Sequence, residues 1–367
     1  MAKKLKSDQI LFVATILLVG LSIVMVYSAS AVVAMERFQQ PYLFLTKQLL
    51  WATIGLSLLW VVMRVDYRHY RNPAFIWTGL GIVVLCLIAV LFSPPVNNAR
   101  RWFSVGGLGI QPSELAKLSA IFFIAALLER RMHRINEFGY ALVPIGLLVA
   151  VLVGLIMLEP DFGTSVSLAL IAAAMVFAAG LNYTYIVGAA LLLVPIVGVV
   201  AMGADYRRRR VLTFLNPWAD PLGDGFQIIQ SLIAVGTGGV TGKGLMNGVQ
   251  KLFYLPEPHT DFIFAVIAEE LGLIGTTLVV ICFCVITWRG MRVVLRAPDT
   301  FGAFLALGLT MMVAVQAFVN MSVVLGLAPT KGIPLPFVSS GGSSLLINLL
   351  GMGVLLNVSQ HSSSTEA

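Results

Sequence analysis

Charged residues are scarce in this sequence. Asp, Glu, Lys and Arg make up only 11% of its 367 residues, whereas 58% are hydrophobic, and the mean hydropathy is +0.92. Soluble domains carry about 25% charged residues, because charged side chains cover much of their outer surface. The composition therefore excludes a soluble enzyme, a disordered chain and a secreted disulfide scaffold, and it predicts that lipid surrounds most of the chain.

Cysteine is also rare. Cys86, Cys282 and Cys284 all lie in apolar runs, where they are expected to pack as small hydrophobic side chains rather than to form disulfides or a metal site. The glycine-rich stretch 236–244 lacks P-loop spacing, because Gly244 directly follows Lys243, so it does not predict nucleotide binding. The net charge of +7 comes from basic residues whose positions suit a membrane protein, and we expect no nucleic-acid partner.

Long apolar runs, in contrast, are abundant. A helix needs about 20 residues to cross about 30 Å of hydrocarbon. Ten stretches meet this requirement, at residues 10–34, 43–63, 74–92, 112–129, 140–158, 162–181, 184–203, 261–288, 301–327 and 341–358. The sequence therefore predicts an all-α polytopic membrane protein with about ten transmembrane helices. We expect one integral membrane domain over residues 1–367, with a long extracytoplasmic loop (204–260) between helices 7 and 8 and a disordered cytoplasmic tail (360–367).

Basic residues predict the orientation. With the N-terminus inside, the inner loops hold twelve Lys and Arg residues and the short outer loops hold four, which favours cytoplasmic termini because short basic loops resist translocation. The long outer loop then carries four adjacent arginines, Arg207 to Arg210. Guanidinium groups bind phosphate well, so these arginines predict an anionic partner on the outer side.

Polar residues collect at the predicted outer ends of the helices. Arg100 and Arg101 precede the fourth helix, in which Glu114 and Lys117 lie three residues apart on one face. Such a pair is either a structural ion pair or part of a functional cavity, and both interpretations stay open. Glu159 and Asp161 lie between the fifth and sixth helices, where they either cap the sixth helix or take part in a site.

The most concentrated cluster lies before the eighth helix. Glu257, His259 and Asp261 place three titratable groups within five residues at the membrane interface, which favours proton or cation chemistry. The alternative is that Asp261 or Thr260 is only a helix N-cap. Deeper in the same helix, Glu269 and Glu270 are expected to be paired. Lys331 is a candidate counter-charge for a pyrophosphate, unless it merely extends to the interface.

The order of these segments resembles the SEDS family (shape, elongation, division and sporulation), and its division members more than its elongation members. Four segments carry most of the resemblance: Ala99–Trp102, Gln111–Glu114, His259–Phe262 and Pro334–Phe337. The family polymerises bacterial peptidoglycan from lipid II. The resemblance thus implies a membrane glycosyltransferase whose α-linked donor gives a β-1,4 glycan by one inverting displacement, with release of undecaprenyl pyrophosphate.

The resemblance also implies roles for individual residues. Asp261 would be the general base, and Glu257 would orient it or share with it a divalent cation, Mg²⁺ or Mn²⁺. The residues expected to bind substrate or its pyrophosphate are Arg100, Arg101, Glu114, Lys117, Asp161, Arg210, Lys243, His259, Lys331 and Ser343.

The same resemblance implies a location and a set of partners. The chain would lie in the bacterial inner membrane with its active site on the outer side. Its partners would be lipid II, the nascent glycan strand, a class B penicillin-binding protein and other divisome or elongasome membrane proteins. A lipid II flippase and a non-catalytic scaffold for a transpeptidase remain the alternatives.

Overall fold

The computed structural model describes residues 7–95, 99–105, 108–185, 187–188, 191, 195, 198–199, 203, 205–330 and 332–361. Eleven α-helices lie in these ranges: α1 (Gln9–Phe38), α2 (Leu43–Val62), α3 (Pro73–Val90), α4 (Pro112–Arg131), α5 (Val143–Leu158), α6 (Phe162–Ala178), α7 (Asp205–Leu215), α8 (Phe226–Gly238), α9 (Ile263–Arg296), α10 (Thr300–Val324) and α11 (Gly342–Gln360). A short antiparallel hairpin, β1 (Phe103–Val105) and β2 (Leu108–Ile110), pairs Phe103 with Ile110.

Nine of the ten predicted spans coincide with these helices, which confirms an all-α polytopic membrane protein. Seven described helices are long and apolar enough to cross a bilayer: α1, α2, α3, α5 with the π-helical turn before it, α9, α10 and α11. α4 carries charged residues, and α6 is apolar but shorter. Most of the seventh predicted span, 184–203, lies outside the described residues, as do Lys331 and residues 362–367 of the predicted tail.

The most buried helices form the centre of the fold. α11 packs mainly on α2, and α10 packs on α9, α4 and α6. Small residues permit the close contacts: the backbone of Leu59 lies against Gly353, and the side chain of Leu349 lies against Gly55. Lipid tails are as apolar as the helix surfaces, so the hydrophobic effect does not drive helices together inside a bilayer. Close van der Waals packing therefore supplies much of the stability.

The long loop between predicted helices 7 and 8 has secondary structure of its own. It contains α7 and α8. α8 packs on α9, and the glycine-rich segment after α8 forms hydrogen bonds with α9. α9 is interrupted at Gly272, where φ is +66°. Lys243 N–H and Gly244 N–H donate to the carbonyls of Glu269 and Glu270, each at 2.9 Å, so the loop satisfies groups that the interruption frees. Unpaired backbone groups are costly in lipid, which explains why a glycine-rich loop lies here.

Candidate functional site

Four connecting segments meet at one end of the helix bundle. Gln111, at the start of α4, donates through Nε2 to Asp161 Oδ2 at 2.8 Å, and its backbone N–H donates to Ser343 Oγ at 3.1 Å. On α10, Asn320 Nδ2 donates to the carbonyls of Asp261 (2.8 Å) and Ile333 (2.7 Å). The starts of α4, α6, α9 and α11 are therefore joined around one site.

Asp261 lies in this site and does not cap α9. Phe262 occupies the N-cap position, and α9 has no side-chain cap there, so the N-cap interpretation of Asp261 and Thr260 is wrong. The half-buried Asp261 carboxylate lies against Gly332, where an added Cβ would be 3.0 Å from Oδ2. The carboxylate is therefore not used to cap α9.

Burial raises the pKa of Asp261 from its usual value to about 7. Arg101 and Arg210 oppose this rise, whereas the negative charges of Glu257 and Asp161 add to it. All four groups therefore act electrostatically on Asp261. The most distant of them in the sequence, Arg101, is 160 positions away, so the fold brings its charge within range.

The backbone around Asp261 is held by the segment before α11. Ser339 Oγ donates to the carbonyl of Thr260 at 2.6 Å, and Ser340 N–H donates to the carbonyl of His259 at 2.9 Å. Sequence reasoning missed Ser339 and Asn320 as positioning residues, because each is a single polar residue whose partner is distant in the sequence.

His259 is buried and Glu257 is exposed. The His259 ring lies 4.3 Å from the Phe44 ring between centroids, and its Nε2 lies 3.7 Å from Glu257 Oε2. Burial lowers the pKa of His259 more than Glu257 raises it, which favours a neutral imidazole. The structure therefore positions Glu257 at the mouth of the site and His259 in its wall.

The cations nominated from the sequence differ in position. Arg101 is half-buried and acts on both Asp261 and Glu159, and its Nε has no hydrogen-bond partner among the described residues. Arg100 is exposed and donates to the carbonyl of Leu91 at 3.2 Å. The exposed Arg210 donates to the carbonyl of Thr330 at 3.3 Å, which ties α7 to the segment before α11. Lys331, the predicted counter-charge for a pyrophosphate, lies outside the described residues.

Asp161 has a well-defined structural contact. It caps α6, accepting from Thr164 N–H at 3.1 Å and from Thr164 Oγ1 at 2.8 Å, as the capping interpretation predicts. Its predicted contact with substrate stays a prediction.

The environment of Glu159 could not be predicted from the sequence. It is fully buried, and neither carboxylate oxygen has a partner among the described residues. Burial and the nearby Asp161 raise the pKa of Glu159 to about 8, although Arg101 opposes this. This environment favours the protonated form of Glu159 at neutral pH.

Glu114 and Lys117 form a buried ion pair, with Nζ 2.9 Å from Oε1. Lys117 also donates to Gln316 Oε1 of α10 at 3.1 Å. Gln316 Nε2 in turn donates to the carbonyl of Pro334 at 3.2 Å, which connects this pair to the segment before α11. The expected proximity of Glu114 and Lys117 is confirmed, and their role toward substrate stays a prediction.

Lys243 belongs to a second cluster. Its Nζ lies 2.7 Å from Glu269 Oε1, and Lys251 Nζ lies 2.6 Å from Glu270 Oε1. Ser28 Oγ of α1 also donates to Glu270. The expected pairing of Glu269 and Glu270 is confirmed, and the cluster fixes the loop 243–251 against α9.

The comparisons with known proteins cover nearly the whole chain. Residues 8–364 match the family model FtsW/RodA/SpoVE, described as "Cell cycle protein". A protein of Geobacter metallireducens named "probable peptidoglycan glycosyltransferase FtsW" is 43% identical, with 98% of this chain and 96% of that protein covered. "Stage V sporulation protein E" of Bacillus subtilis is 45% identical, with 98% and 99% covered.

Solved structures of similar proteins support the same family. A chain from the work described as "Structural coordination of polymerization and crosslinking by a peptidoglycan synthase complex" has a TM-score of 0.79 and 31% identity, with 96% of this chain and 97% of that chain covered. The rod shape determining protein RodA of Thermus thermophilus has a TM-score of 0.70 and 27% identity, with 96% of each chain covered. The chain therefore belongs to the FtsW/RodA/SpoVE family of cell cycle proteins.

Proposed function

We propose that this protein polymerises lipid II into β-1,4 glycan strands for the cell wall, with release of undecaprenyl pyrophosphate. The names of its relatives support a peptidoglycan glycosyltransferase. The observation in this chain that carries the proposal is the half-buried carboxylate of Asp261, whose pKa of about 7 suits a general base at neutral pH. A base is efficient when its pKa lies near the working pH, because it is then both ionised and basic.

The reaction is a single inverting displacement. The acceptor 4-hydroxyl attacks C1 of the donor sugar while Asp261 accepts the hydroxyl proton, and the C1–O bond to the pyrophosphate breaks. General-base catalysis contributes about 10²–10⁴-fold to such a step. Asn320 and Ser339 hold the backbone at residues 260–261, so the carboxylate is positioned before substrate binds.

Arg101 and Arg210 are the cations that would stabilise the departing pyrophosphate. Both act on Asp261 electrostatically, so both contribute positive potential at the position of the base. The Nε of Arg101 is buried and has no hydrogen-bond partner among the described residues, so this donor is unsatisfied in the absence of substrate. Truncation of Arg210 removes a charge-assisted contact of roughly 1.5–3 kcal/mol, so activity is expected to fall tenfold or more.

The described residues contain no group of three or more His, Cys, Asp or Glu side chains that could hold a metal ion, so a divalent cation would depend on Asp261, Glu257 and the substrate pyrophosphate together. Mg²⁺ commonly binds through one or two carboxylates together with substrate phosphates, and Asp261 and Glu257 are close enough to influence each other. When bound, the cation would neutralise charge on the leaving pyrophosphate. The base and the arginines retain the roles given above.

We infer an orientation with both termini in the cytoplasm of a bacterium and the site of Asp261 on the outer side of the inner membrane, from the distribution of basic loops. A class B penicillin-binding protein would cross-link the strands, and other divisome or elongasome membrane proteins would complete the assembly. The likeness to a chain of a peptidoglycan synthase complex supports such a partner.

The test is polymerisation of fluorescent lipid II by the purified chain, with and without a class B penicillin-binding protein. Wild type is expected to form long strands, Asp261→Asn to form none, and the exposed-loop control Asp224→Asn to act as wild type. Circular dichroism and elution volume verify folding.

Strands made by folded Asp261→Asn protein at the wild-type rate would reject the base. No strands from wild type under either condition would reject the enzyme. Lipid II transfer between leaflets of vesicles in that case would favour the flippase, and its absence would favour the scaffold.

A further inference from the structure

A basic cavity lies at the opposite end of α9 from Asp261. Its volume is about 440 Å³, and it is bounded by the start of α1, the last turns of α9 and the end of α11. Three guanidinium groups, Arg289, Arg292 and Arg296, line it together with one carboxylate, Asp8. The cavity therefore carries a positive excess, and nothing in the proposed polymerisation uses it.

One wall of the cavity is rigid. Arg289 binds Asp8 through two nitrogens, with Nη2 2.6 Å and Nε 2.8 Å from Oδ2. Asp8 also caps α1, accepting from Leu11 N–H at 3.0 Å, and its own N–H donates to Ser359 Oγ of α11 at 3.1 Å. These contacts join three helices, so the cavity is formed before any ligand binds.

The other two arginines remain available to a ligand. Arg292 and Arg296 are exposed, and neither forms an ion pair within the described part of the chain. Arg292 lies over the Trp288 ring, 4.8 Å from its centroid, which holds it near the surface. The start of α1 and the ends of α9 and α11 meet here, so one positive and two negative helix ends leave a small negative contribution, which the charges of the arginine side chains outweigh.

Exposed apolar side chains lie beside the arginines that line the cavity. Ile10 lines it and is 50% exposed, Leu295 next to Arg296 is 82% exposed, and Trp288 is 54% exposed. In a membrane protein, such side chains beside arginines mark the level where acyl chains meet headgroups. A soluble anion would need only the basic part of this cavity, whereas a lipid would use both parts.

We propose that this cavity binds the phosphate headgroup of an anionic lipid, with Arg292 and Arg296 as its ligands and the acyl chains along Ile10 and Leu295. Basic pockets between transmembrane helices on the cytoplasmic side are suited to anionic headgroups. The distribution of basic loops predicts that this end is cytoplasmic. A bound lipid would join α1 to α9 at the inner leaflet.

The test is native mass spectrometry of the full-length chain in detergent, titrated with phosphatidylglycerol or with phosphatidylcholine of the same acyl chains. Wild type is expected to bind phosphatidylglycerol more tightly. The double variant Arg292→Gln/Arg296→Gln is expected to lose about tenfold or more in that affinity, because each basic residue near an anionic surface contributes attraction. The matched control Arg130→Gln removes an exposed arginine from the end of α4 and is expected to bind as wild type.

Folding is checked by the thermal unfolding midpoint without added lipid. If the double variant does not fold, Arg296→Gln alone retains the contact of Arg292 with Trp288 and is expected to lose about threefold. Equal binding of the two lipids, or equal loss in the Arg130 control, would overturn the proposal. Displacement of phosphatidylglycerol by millimolar inorganic phosphate would also overturn it, since the cavity would then be a site for a free anion.

Discussion

Gly242 and Gly272 lie in backbone contact, and neither position has room for a side chain. A Cβ on Gly242 would lie 2.7 Å from the backbone nitrogen of Gly272, and the φ angles are +79° and +66°. This contact is where the loop 239–244 replaces the hydrogen bonds that α9 loses at its interruption.

Gly272→Ala is therefore expected to destabilise the protein strongly. A side chain with positive φ costs of order 1–3 kcal/mol, and the clash with the backbone of Val240 and Gly242 adds to it. The thermal unfolding midpoint of the purified variant should fall by several degrees. Gly146→Ala in α5 is the matched control, because nothing lies within 4 Å of its added Cβ. Equal midpoints for the two variants would contradict the role of this contact.

The interruption at Gly272 illustrates what the sequence could and could not predict. Nine spans were predictable because hydropathy over about 20 residues is a local property. The interruption was not, since an isolated glycine in an apolar run has the same appearance whether or not a distant loop pairs with it. The hairpin before α4 was missed for another reason: its strands have three residues each, although Gly106-Gly107 between them is a hairpin signal.

The candidate site was also predictable from the sequence only in part. Titratable residues close together in the sequence nominated Asp261, and the family resemblance gave it a role. Asn320 lies on α10 and Arg101 lies in the segment before β1, so only the fold could identify their effects on Asp261. Glu159 was noticed only as one of two carboxylates, because its burial depends on the packing of α5 and α6 with their neighbours.

Lys251 is expected to be essential for stability. It is buried and pairs with Glu270, which is also fully buried and bonded to Ser28. Lys251→Met leaves Glu270 without its counter-charge, and breaking a buried pair typically costs about 3–5 kcal/mol. The double variant Lys251→Met/Glu270→Gln removes both charges and should recover part of this loss. Unfolding midpoints of both variants in detergent measure the difference, and an unaffected single variant would contradict the prediction.

The orientation can be tested with cysteine labelling. In a chain whose three native cysteines are replaced by alanine, Asp224→Cys is expected to react with a membrane-impermeant maleimide added to intact spheroplasts. Arg131→Cys should react only after permeabilisation, because basic residues near Arg131 predict a cytoplasmic loop. The opposite labelling pattern would reverse the topology and move the site of Asp261 to the inner side.

Glu159 is expected to make stability depend on pH. Its pKa is about 8 in the folded protein, above the usual value of 4.5, so the folded state holds a proton that the unfolded chain releases. The stabilisation is thus complete below about pH 4.5 and is lost as pH rises toward 8. Glu159→Gln has no such group, so its unfolding midpoint should change less between pH 5.5 and 8.5. A difference of about 1–3 kcal/mol is expected at the alkaline end, and parallel curves would contradict it.

Asp261 predicts the pH dependence of polymerisation. A general base must be ionised, and the pKa of Asp261 is about 7, so the rate should rise between pH 6 and 8 and then level off. The charge of Glu257 raises this pKa, and Glu257→Gln should therefore shift the midpoint of the profile to lower pH.

Arg101 lowers the pKa of Asp261, and Arg101→Gln should shift the midpoint to higher pH in whatever activity remains. Initial rates of lipid II polymerisation at saturating substrate give these midpoints, with Asp224→Asn as the unshifted control. A lower rate alone would be expected from any damage to the site. Shifts of the pH midpoint in opposite directions, from Glu257→Gln and Arg101→Gln, are expected only if both charges act on one titrating carboxylate. Midpoints that do not move in either variant would mean that a group other than Asp261 accepts the proton.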